Sequence, residues 1–218
     1  METQIKSLED LSISKILKEN PKNSSGEYDF KSLANEIMNK IYIDNGAYKY
    51  RPIEIEFYIY DKNNHNDIHV YPREAKAGKL FFHLSGMDIC FESSFIEKDN
   101  TISFGGILIR ALERIKDGKQ ILFGGPLICV NEVLNTATER VKVELVNPGE
   151  ELKYTAVKKY SGKRKGINKY EKKDDIYWNA KYRFFRNDVN DIILMNDETY
   201  DFNKLSKSPR KRTYKIED

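Results

Sequence analysis

Residues 51–65, RPIEIEFYIYDKNNH, decide the fold because their side chains alternate in character. In the central part of this stretch, isoleucine or phenylalanine occupies every second position, and glutamate or tyrosine occupies most positions between them. Strict alternation with β-branched and aromatic residues predicts a β-strand with one buried face. The other face carries Glu54, Glu56 and Tyr58. It either meets water or lines a site in which a carboxylate and an aromatic ring act together.

The segments on either side of this strand predict its neighbours. Asn45-Gly46 lies between two apolar runs and predicts a β-hairpin that pairs the strands around Tyr42 and Lys49. The preceding segment, DFKSLANEIMNKIY, predicts a helix with apolar residues three or four positions apart. We expect Asp29 or Ser32 to cap this helix.

The rest of the chain predicts further strands and one more helix. KLFFHL, DICFES, ISFGGILIRALERI, VKVELV and YWNAKYRFF are strand candidates, and GGPLICVNEVLN predicts a helix that begins at Pro126. The predicted fold class is therefore α+β, a single domain with a curved, mostly antiparallel β-sheet flanked by helices. We expect an N-terminal helix and loop over residues 1–27, the domain over residues 28–203, and a basic tail over residues 204–218.

The composition of the chain gives expectations about its cellular compartment. No apolar run among the 218 residues approaches the ~20 residues of a membrane span, and the first residues lack the apolar core of a signal peptide. Cys90 and Cys129 lie far apart and neither belongs to a CxxC pair, which argues against a disulfide framework and a structural zinc site. We expect a cytoplasmic monomer that does not associate with membranes.

Charge is distributed unevenly along the chain. Residues 151–218 contain 18 Lys and Arg against 11 Asp and Glu, whereas the first 150 residues contain 19 against 23. A basic C-terminal third is compatible with a polyanionic partner such as nucleic acid, but lysine-rich tails also serve simply to keep proteins in solution.

Other motifs point to no cofactor. His65 and His69 are four residues apart, but their segment is too rich in Asn and Asp for a helix and offers no third ligand, so we expect no metal site. The paired glycines of FGGILIR and FGGPL lack the remaining spacing of a phosphate-binding loop. No serine or cysteine has the surroundings of a nucleophile elbow.

Several segments, taken in order, resemble the 3-methyladenine (alkyladenine) DNA glycosylase family. EIEFY (residues 54–58) resembles the family's ETEAY, SGMDICFE (85–92) resembles YGMY.C.N, and LIRALER (108–114) resembles LLRALEP. Gly125-Pro126 resembles the start of a family helix, and KGIN (165–168) and KYRFF (181–185) loosely resemble VGVG and KPLRFY. The resemblance covers roughly residues 28–187 and implies an alkyladenine DNA glycosylase-like fold.

The resemblance implies a reaction and roles for particular residues. Enzymes of this family flip a damaged purine nucleotide into a pocket and hydrolyse its N-glycosidic bond. Glu56 corresponds to the general base, Arg110 to the arginine that orients the attacking water, and the backbone carbonyl near Ile167 to a further catalytic contact. Tyr58 corresponds to a wall on which the flipped base stacks, and Phe82 to the second stacking residue.

The chain also departs from the family pattern. Ser85 stands at the position of the tyrosine that wedges into the minor groove. Glu92 stands where the family has an asparagine that discriminates against guanine, and a carboxylate accepts hydrogen bonds from an amine, so we expect a base preference closer to guanine-like purines. His69 corresponds only approximately to the family's base-binding histidine, and the loop that follows is shortened to PREAKAGK.

Three functions follow from these residues. The first is a divergent DNA glycosylase of base-excision repair that acts on a modified purine without a cofactor, with damaged duplex or single-stranded DNA as its partner. The second is a non-catalytic nucleic-acid-binding relative, and the third is a pocket used for a nucleoside-like small ligand.

Overall fold

The structure is a computed structural model that describes residues 28–96, 101–116, 119–146, 156–157, 176–177 and 180–186. In chain order the elements are α1 (Phe30–Lys40), β1 (Ile41–Asp44), β2 (Lys49–Asp61), β3 (His65–Asn66), β4 (Leu80–His83), β5 (Gly86–Cys90), β6 (Ser94–Ile96), β7 (Thr101–Lys116), β8 (Lys119–Gly124), α2 (Pro126–Asn135), β9 (Lys142–Leu145), β10 (Ala156–Val157) and β11 (Arg183–Arg186). The predicted helix within residues 1–27, Ile167 and the basic tail lie outside the described residues.

The described strands form one antiparallel sheet. Its central path runs β10-β11-β2-β7-β5-β4, and β1, β3, β6 and β8 pair with β2 or β7, while β9 pairs with β1. The sheet curls into a half-barrel, with α1 and α2 packed against it. The predicted α+β class with a curved antiparallel sheet is therefore confirmed.

The long central strand β2 is buried on both faces. Ile55 and Phe57 are fully buried on one face, where the Phe57 ring stacks on Phe30 of α1 at 4.6 Å between ring centroids. Glu54 and Glu56 on the other face are also buried. The alternation correctly predicted the strand and its apolar face, but the idea that the polar face simply meets water is wrong.

The predicted hairpin is present, with a longer loop than a two-residue turn. Asp44 pairs with Lys49, so four residues connect β1 to β2. The Asn45 side chain donates to the Val133 carbonyl of α2 at 2.8 Å and accepts from the Tyr48 N–H at 2.8 Å. Asn45 thus joins the loop to a helix distant in sequence, which a local turn signal does not reveal.

Both predicted helices in the described part of the chain are confirmed. The Asp29 carboxylate caps α1 by accepting from the Ser32 N–H at 3.0 Å. Helix α2 begins at Pro126, and Gly125 precedes it with a positive φ of 111°. Neither helix has the length and apolar character that crossing a membrane would require.

Candidate functional site

One row of paired residues crosses four strands and defines the polar face of the sheet. Glu56 of β2 pairs with Leu108 of β7, Leu108 pairs with Asp88 of β5, and Asp88 pairs with Phe81 of β4. Residues directly opposite one another in antiparallel strands project from the same face. Leu108, Asp88 and Phe81 therefore share the face that carries Glu56.

Alternation along β7 places Arg110 on this face, because Arg110 lies two residues beyond Leu108. Glu54 pairs with Ala111 and Ile55 pairs with Ile109, so Arg110 has no opposite residue in the register. An unpaired residue of this kind marks a β-bulge, at which the strand bends locally. The Arg110 backbone is fixed by its carbonyl, which accepts from the Gly125 N–H at 2.7 Å, just before α2.

Two carboxylates and two guanidiniums then meet in an acid–arginine cluster, formed by Glu54, Glu56, Arg110 and Arg183. Oε1 of Glu54 accepts from Nε of Arg110 at 2.8 Å and from Nε of Arg183 at 2.5 Å. Oε1 of Glu56 lies 3.3 Å from Nη1 of Arg110 and 3.8 Å from Nε of Arg183. The four formal charges sum to zero, which reduces the cost of burying them together.

The second oxygen of Glu56 is also engaged. The Tyr58 hydroxyl donates to Oε2 of Glu56 at 2.9 Å, and Glu56 is fully buried. Burial by itself lowers the pKa of the Arg110 guanidinium, but the negative charges of Glu56 and Glu54 outweigh burial and raise that pKa above its usual value. Arg110 therefore provides a fixed positive charge beside Glu56.

A second polar group adjoins the acid–arginine cluster on the same face. Oδ2 of Asp88 accepts from Arg73 at 2.5 Å, and Oδ1 of Asp88 lies 3.1 Å from Nε2 of His83. The Arg73 guanidinium lies over the Phe81 ring, 4.6 Å from its centroid. Its Nη1 atom lies 3.1 Å from the position that a Cβ atom would take at Gly106. Gly106 pairs with Tyr58 across β2 and β7. The guanidinium of Arg73 thus covers the sheet beside Tyr58.

The structure brings Glu56, Tyr58 and Arg110 together, as the sequence led us to expect, while their chemical roles remain predictions. Phe82 is placed differently. It follows Phe81 on β4, so alternation turns its side chain to the opposite face from Glu56, where 40% of it is exposed. On the Glu56 face, β4 contributes Phe81 instead of Phe82, because the pairing of β4 with β5 determines the face that each residue takes.

The remaining predicted residues lie around this face or beyond it. The Glu92 carboxylate accepts from the Ala77 N–H at 2.8 Å and from Nζ of Lys76 at 3.3 Å. The backbone N–H of His69 donates to Asp67 at 3.0 Å in the segment after β3. Ser85 is exposed in the turn between β4 and β5. Ile167 lies outside the described residues.

Three charged residues of this face have no role implied by the sequence. Arg183 lies within KYRFF and pairs opposite Glu56, Glu54 begins the EIEFY motif, and Asp88 lies within SGMDICFE. Each belongs to a segment that the sequence analysis had already singled out. A charged residue inside a predicted buried strand was the available signal for all three. Among the described residues, no group of three or more His, Cys, Asp or Glu side chains is arranged to hold a metal ion.

Comparison with known proteins finds a relative from a virus. The chain is 31% identical over 156 residues to the uncharacterized protein L759 of Acanthamoeba polyphaga mimivirus, and the match covers 63% of this chain and 70% of the mimivirus protein. The chain matches no protein-family model. It also matches no solved structure.

Proposed function

We propose that this chain, which belongs to the same family as the mimivirus protein L759, is a divergent DNA glycosylase that hydrolyses the N-glycosidic bond of a flipped, modified purine. The observation that carries the proposal is the meeting of Glu56, Tyr58 and Arg110 on one face of the sheet. These are the three residues to which the sequence resemblance assigns the base, the stacking wall and the water-orienting arginine.

The chemistry of these groups suits this reaction. Cleavage of the N-glycosidic bond places positive charge on the sugar, and a carboxylate beside the sugar stabilises that charge and takes a proton from the attacking water. Arg110 and Tyr58 hold the two oxygens of Glu56 in a defined orientation. Because the acid–arginine cluster is neutral overall, a developing cation meets Glu56 without net repulsion.

Access to Glu56 requires movement at the polar face. Glu56 is fully buried, and Arg73 lies over Gly106, the residue opposite Tyr58. A purine that stacks on Tyr58 must therefore displace the Arg73 guanidinium or rest against it. Guanidinium planes stack on bases, so Arg73 is suited to form part of the pocket wall once the base has entered.

The turn between β4 and β5 offers a wedge other than Ser85. Leu84 is the other residue of this turn, and 96% of it is exposed. Leucine is one of the apolar side chains that minor-groove proteins insert between base steps. In the proposed function, Leu84 fills the space that the flipped base leaves.

One observation argues against catalysis and so supports a second candidate, a relative that binds nucleic acid without cleaving it. Both oxygens of Glu56 already have partners in Arg110, Arg183 and Tyr58, and the group is withdrawn from water. A carboxylate held in this way also serves as a purely structural charge at the centre of a sheet.

An abasic-site assay distinguishes the two candidates. The wild-type protein, Glu56→Gln and Glu113→Gln are incubated with oligonucleotides that contain hypoxanthine, an alkylated purine or only undamaged bases. Glu113 is the matched control. It is also buried, and its carboxylate pairs with the Arg186 guanidinium at 2.6 Å. It lies on β7, five residues from Leu108, which pairs with Glu56. We expect base release by the wild type, at least a hundredfold loss in Glu56→Gln, and retained release in Glu113→Gln.

Circular dichroism establishes that the variants are folded. The proposal fails if the wild-type protein releases no base from any substrate. Salt-dependent binding of the same oligonucleotides would then support the non-catalytic candidate.

A further inference from the structure

Three aromatic rings form a parallel stack that has no role in the site described above. The rings of Tyr60 and Phe104 are 4.8 Å apart between centroids, with their planes 14° from parallel. The rings of Phe104 and Phe95 are 6.1 Å apart, with their planes 15° from parallel. We name Tyr60, Phe104 and Phe95 the aromatic ladder.

The aromatic ladder lies on the same face of the sheet as the acid–arginine cluster. Tyr60 follows Glu56 and Tyr58 at every second position of β2, and it pairs with Phe104 of β7. Phe95 belongs to β6, which pairs with β7 at residues 101–103. Two residues of a strand span about 7 Å, so the aromatic ladder begins about that far from Tyr58 and leads away from it.

The aromatic ladder has a buried middle ring and more exposed ends, since Tyr60 is half-buried. Phe104 is buried, whereas 47% of Phe95 is exposed. The short strand β6 pairs, among the described strands, only with β7. Aromatic pairs in a protein core commonly adopt edge-to-face as well as stacked arrangements. Here the stacked arrangement continues outward to a half-exposed ring, which presents a surface on which a further flat ring can stack.

A lysine follows the end of β2, close in the chain to the aromatic ladder. Lys62 is two residues beyond Tyr60, its side chain is exposed, and its backbone N–H donates to the Ile102 carbonyl of β7 at 2.9 Å. Aromatic rings next to a positive charge are the combination by which proteins bind single-stranded nucleic acids, since bases stack on the rings and phosphates meet the charge.

We infer that Phe95 is a stacking site for an unpaired nucleobase of single-stranded DNA, with Lys62 near the adjoining phosphate. The inference deepens the proposed function and rests on it for the identity of the polymer, because it adds single-stranded DNA to damaged duplex as a substrate class. A base within a duplex is covered on both faces by its neighbours, so only an unstacked base has a face available for Phe95.

Binding measurements with defined variants test this inference without requiring catalysis. A short fluorescein-labelled oligodeoxythymidine is titrated with the wild-type protein, Phe95→Ala, Phe95→Trp and Leu134→Ala, and binding is followed by fluorescence anisotropy. Leu134 is the matched control because 47% of it is also exposed, on α2 and away from the aromatic ladder. We expect about tenfold weaker binding by Phe95→Ala, and affinity equal to or above that of the wild type for Phe95→Trp and Leu134→Ala.

A duplex of matched length separates stacking from general charge attraction. Phe95→Ala should leave the affinity for this duplex unchanged, and Lys62→Gln should reduce the salt dependence of binding to the single strand. The inference is overturned if the wild type does not bind the single strand, if Phe95→Ala binds it as the wild type does, or if the loss is equal for the duplex.

These binding measurements test the stacking site whether or not the protein releases a base. A protein that binds the single strand through Phe95 but releases no base from any oligonucleotide would contradict the proposed reaction and support the stacking site. If base is released, Phe95→Ala should raise KM for a single-stranded substrate and leave kcat unchanged, since Phe95 lies away from Glu56.

Discussion

At the scale of single residues, Gly106 determines how closely the side chains of Asp88 and Arg73 approach the sheet. It lies opposite Tyr58, and a Cβ atom at this position would lie 2.9 Å from Cβ of Asp88 and 3.1 Å from Nη1 of Arg73. Only a residue without a side chain leaves the Arg73 guanidinium in its observed place beside Tyr58.

We therefore expect Gly106→Ala to lower the free energy of unfolding by about 1–3 kcal/mol, because Asp88 and Arg73 must shift as a buried pair. Chemical denaturation measures the change. Gly124→Ala is the control, since a Cβ atom there meets nothing within 4 Å. Equal free energies of unfolding for the two variants would contradict this prediction, because Asp88 and Arg73 would then accommodate the added Cβ atom without cost.

The residues of the site differ in how far the sequence predicted them. Glu56 and Tyr58 lie two positions apart in an alternating strand, so their common face follows from the pleat alone. Arg110 shares their face because Leu108, two residues before it, pairs with Glu56, and the pattern of neither strand alone specifies that pairing. Only the resemblance of LIRALER to a family motif pointed to Arg110 in advance.

At the scale of elements, the β4–β5 hairpin carries the most testable surface feature. Its turn consists of Leu84 and Ser85, and the Ser85 N–H donates to Nδ1 of His83 at 3.2 Å. His83 in turn contacts Asp88, so the turn is connected to the polar face of the sheet. This connection holds the exposed Leu84 in a defined position relative to the site.

We expect Leu84→Ser to weaken binding to a duplex that contains a modified purine while leaving thermal stability unchanged, because the side chain is almost fully exposed. Fluorescence anisotropy measures the affinity. Ile68→Ser is the control, since 60% of Ile68 is exposed outside this hairpin. A duplex affinity equal to that of the wild type would remove Leu84 as the wedge.

At the scale of the whole molecule, Asp61 connects the end of β2 to the segment that precedes α1. Its carboxylate accepts from the Asn63 N–H at 3.0 Å, from the Asn64 side chain at 2.9 Å and from the Tyr28 hydroxyl at 3.2 Å. Burial alone would raise the pKa of Asp61, but these hydrogen bonds together lower it below its usual value.

This lowered pKa predicts a pH dependence of stability. A carboxylate with a lower pKa in the folded state stabilises the fold above its unfolded pKa of about 3.9, and that contribution is lost as the pH falls through the folded value. Asp61→Asn should therefore lower the thermal midpoint at pH 7, and its difference from the wild type should shrink below about pH 4. If the two thermal midpoints differ by the same amount at every pH, the Asp61 carboxylate does not supply this stability.

The sequence by itself determined the local elements of this protein. The alternation of residues 51–65 determined β2 and its apolar face, the Asn-Gly pair determined the hairpin, and Asp29 and Pro126 marked the starts of the two described helices. Each of these depends on side chains within a few positions of one another, where steric preferences and local hydrogen bonds decide the backbone.

The tertiary structure alone decided which residues of other strands join Glu56 and Tyr58 on the polar face. Arg183 reaches Glu54 from 129 positions away in the chain, and Phe81 rather than Phe82 shares the face of Glu56. Phe95 has its stacking partner on another strand. The register between distant strands and the burial that follows from packing set these contacts, and both arise only when segments far apart in sequence come together.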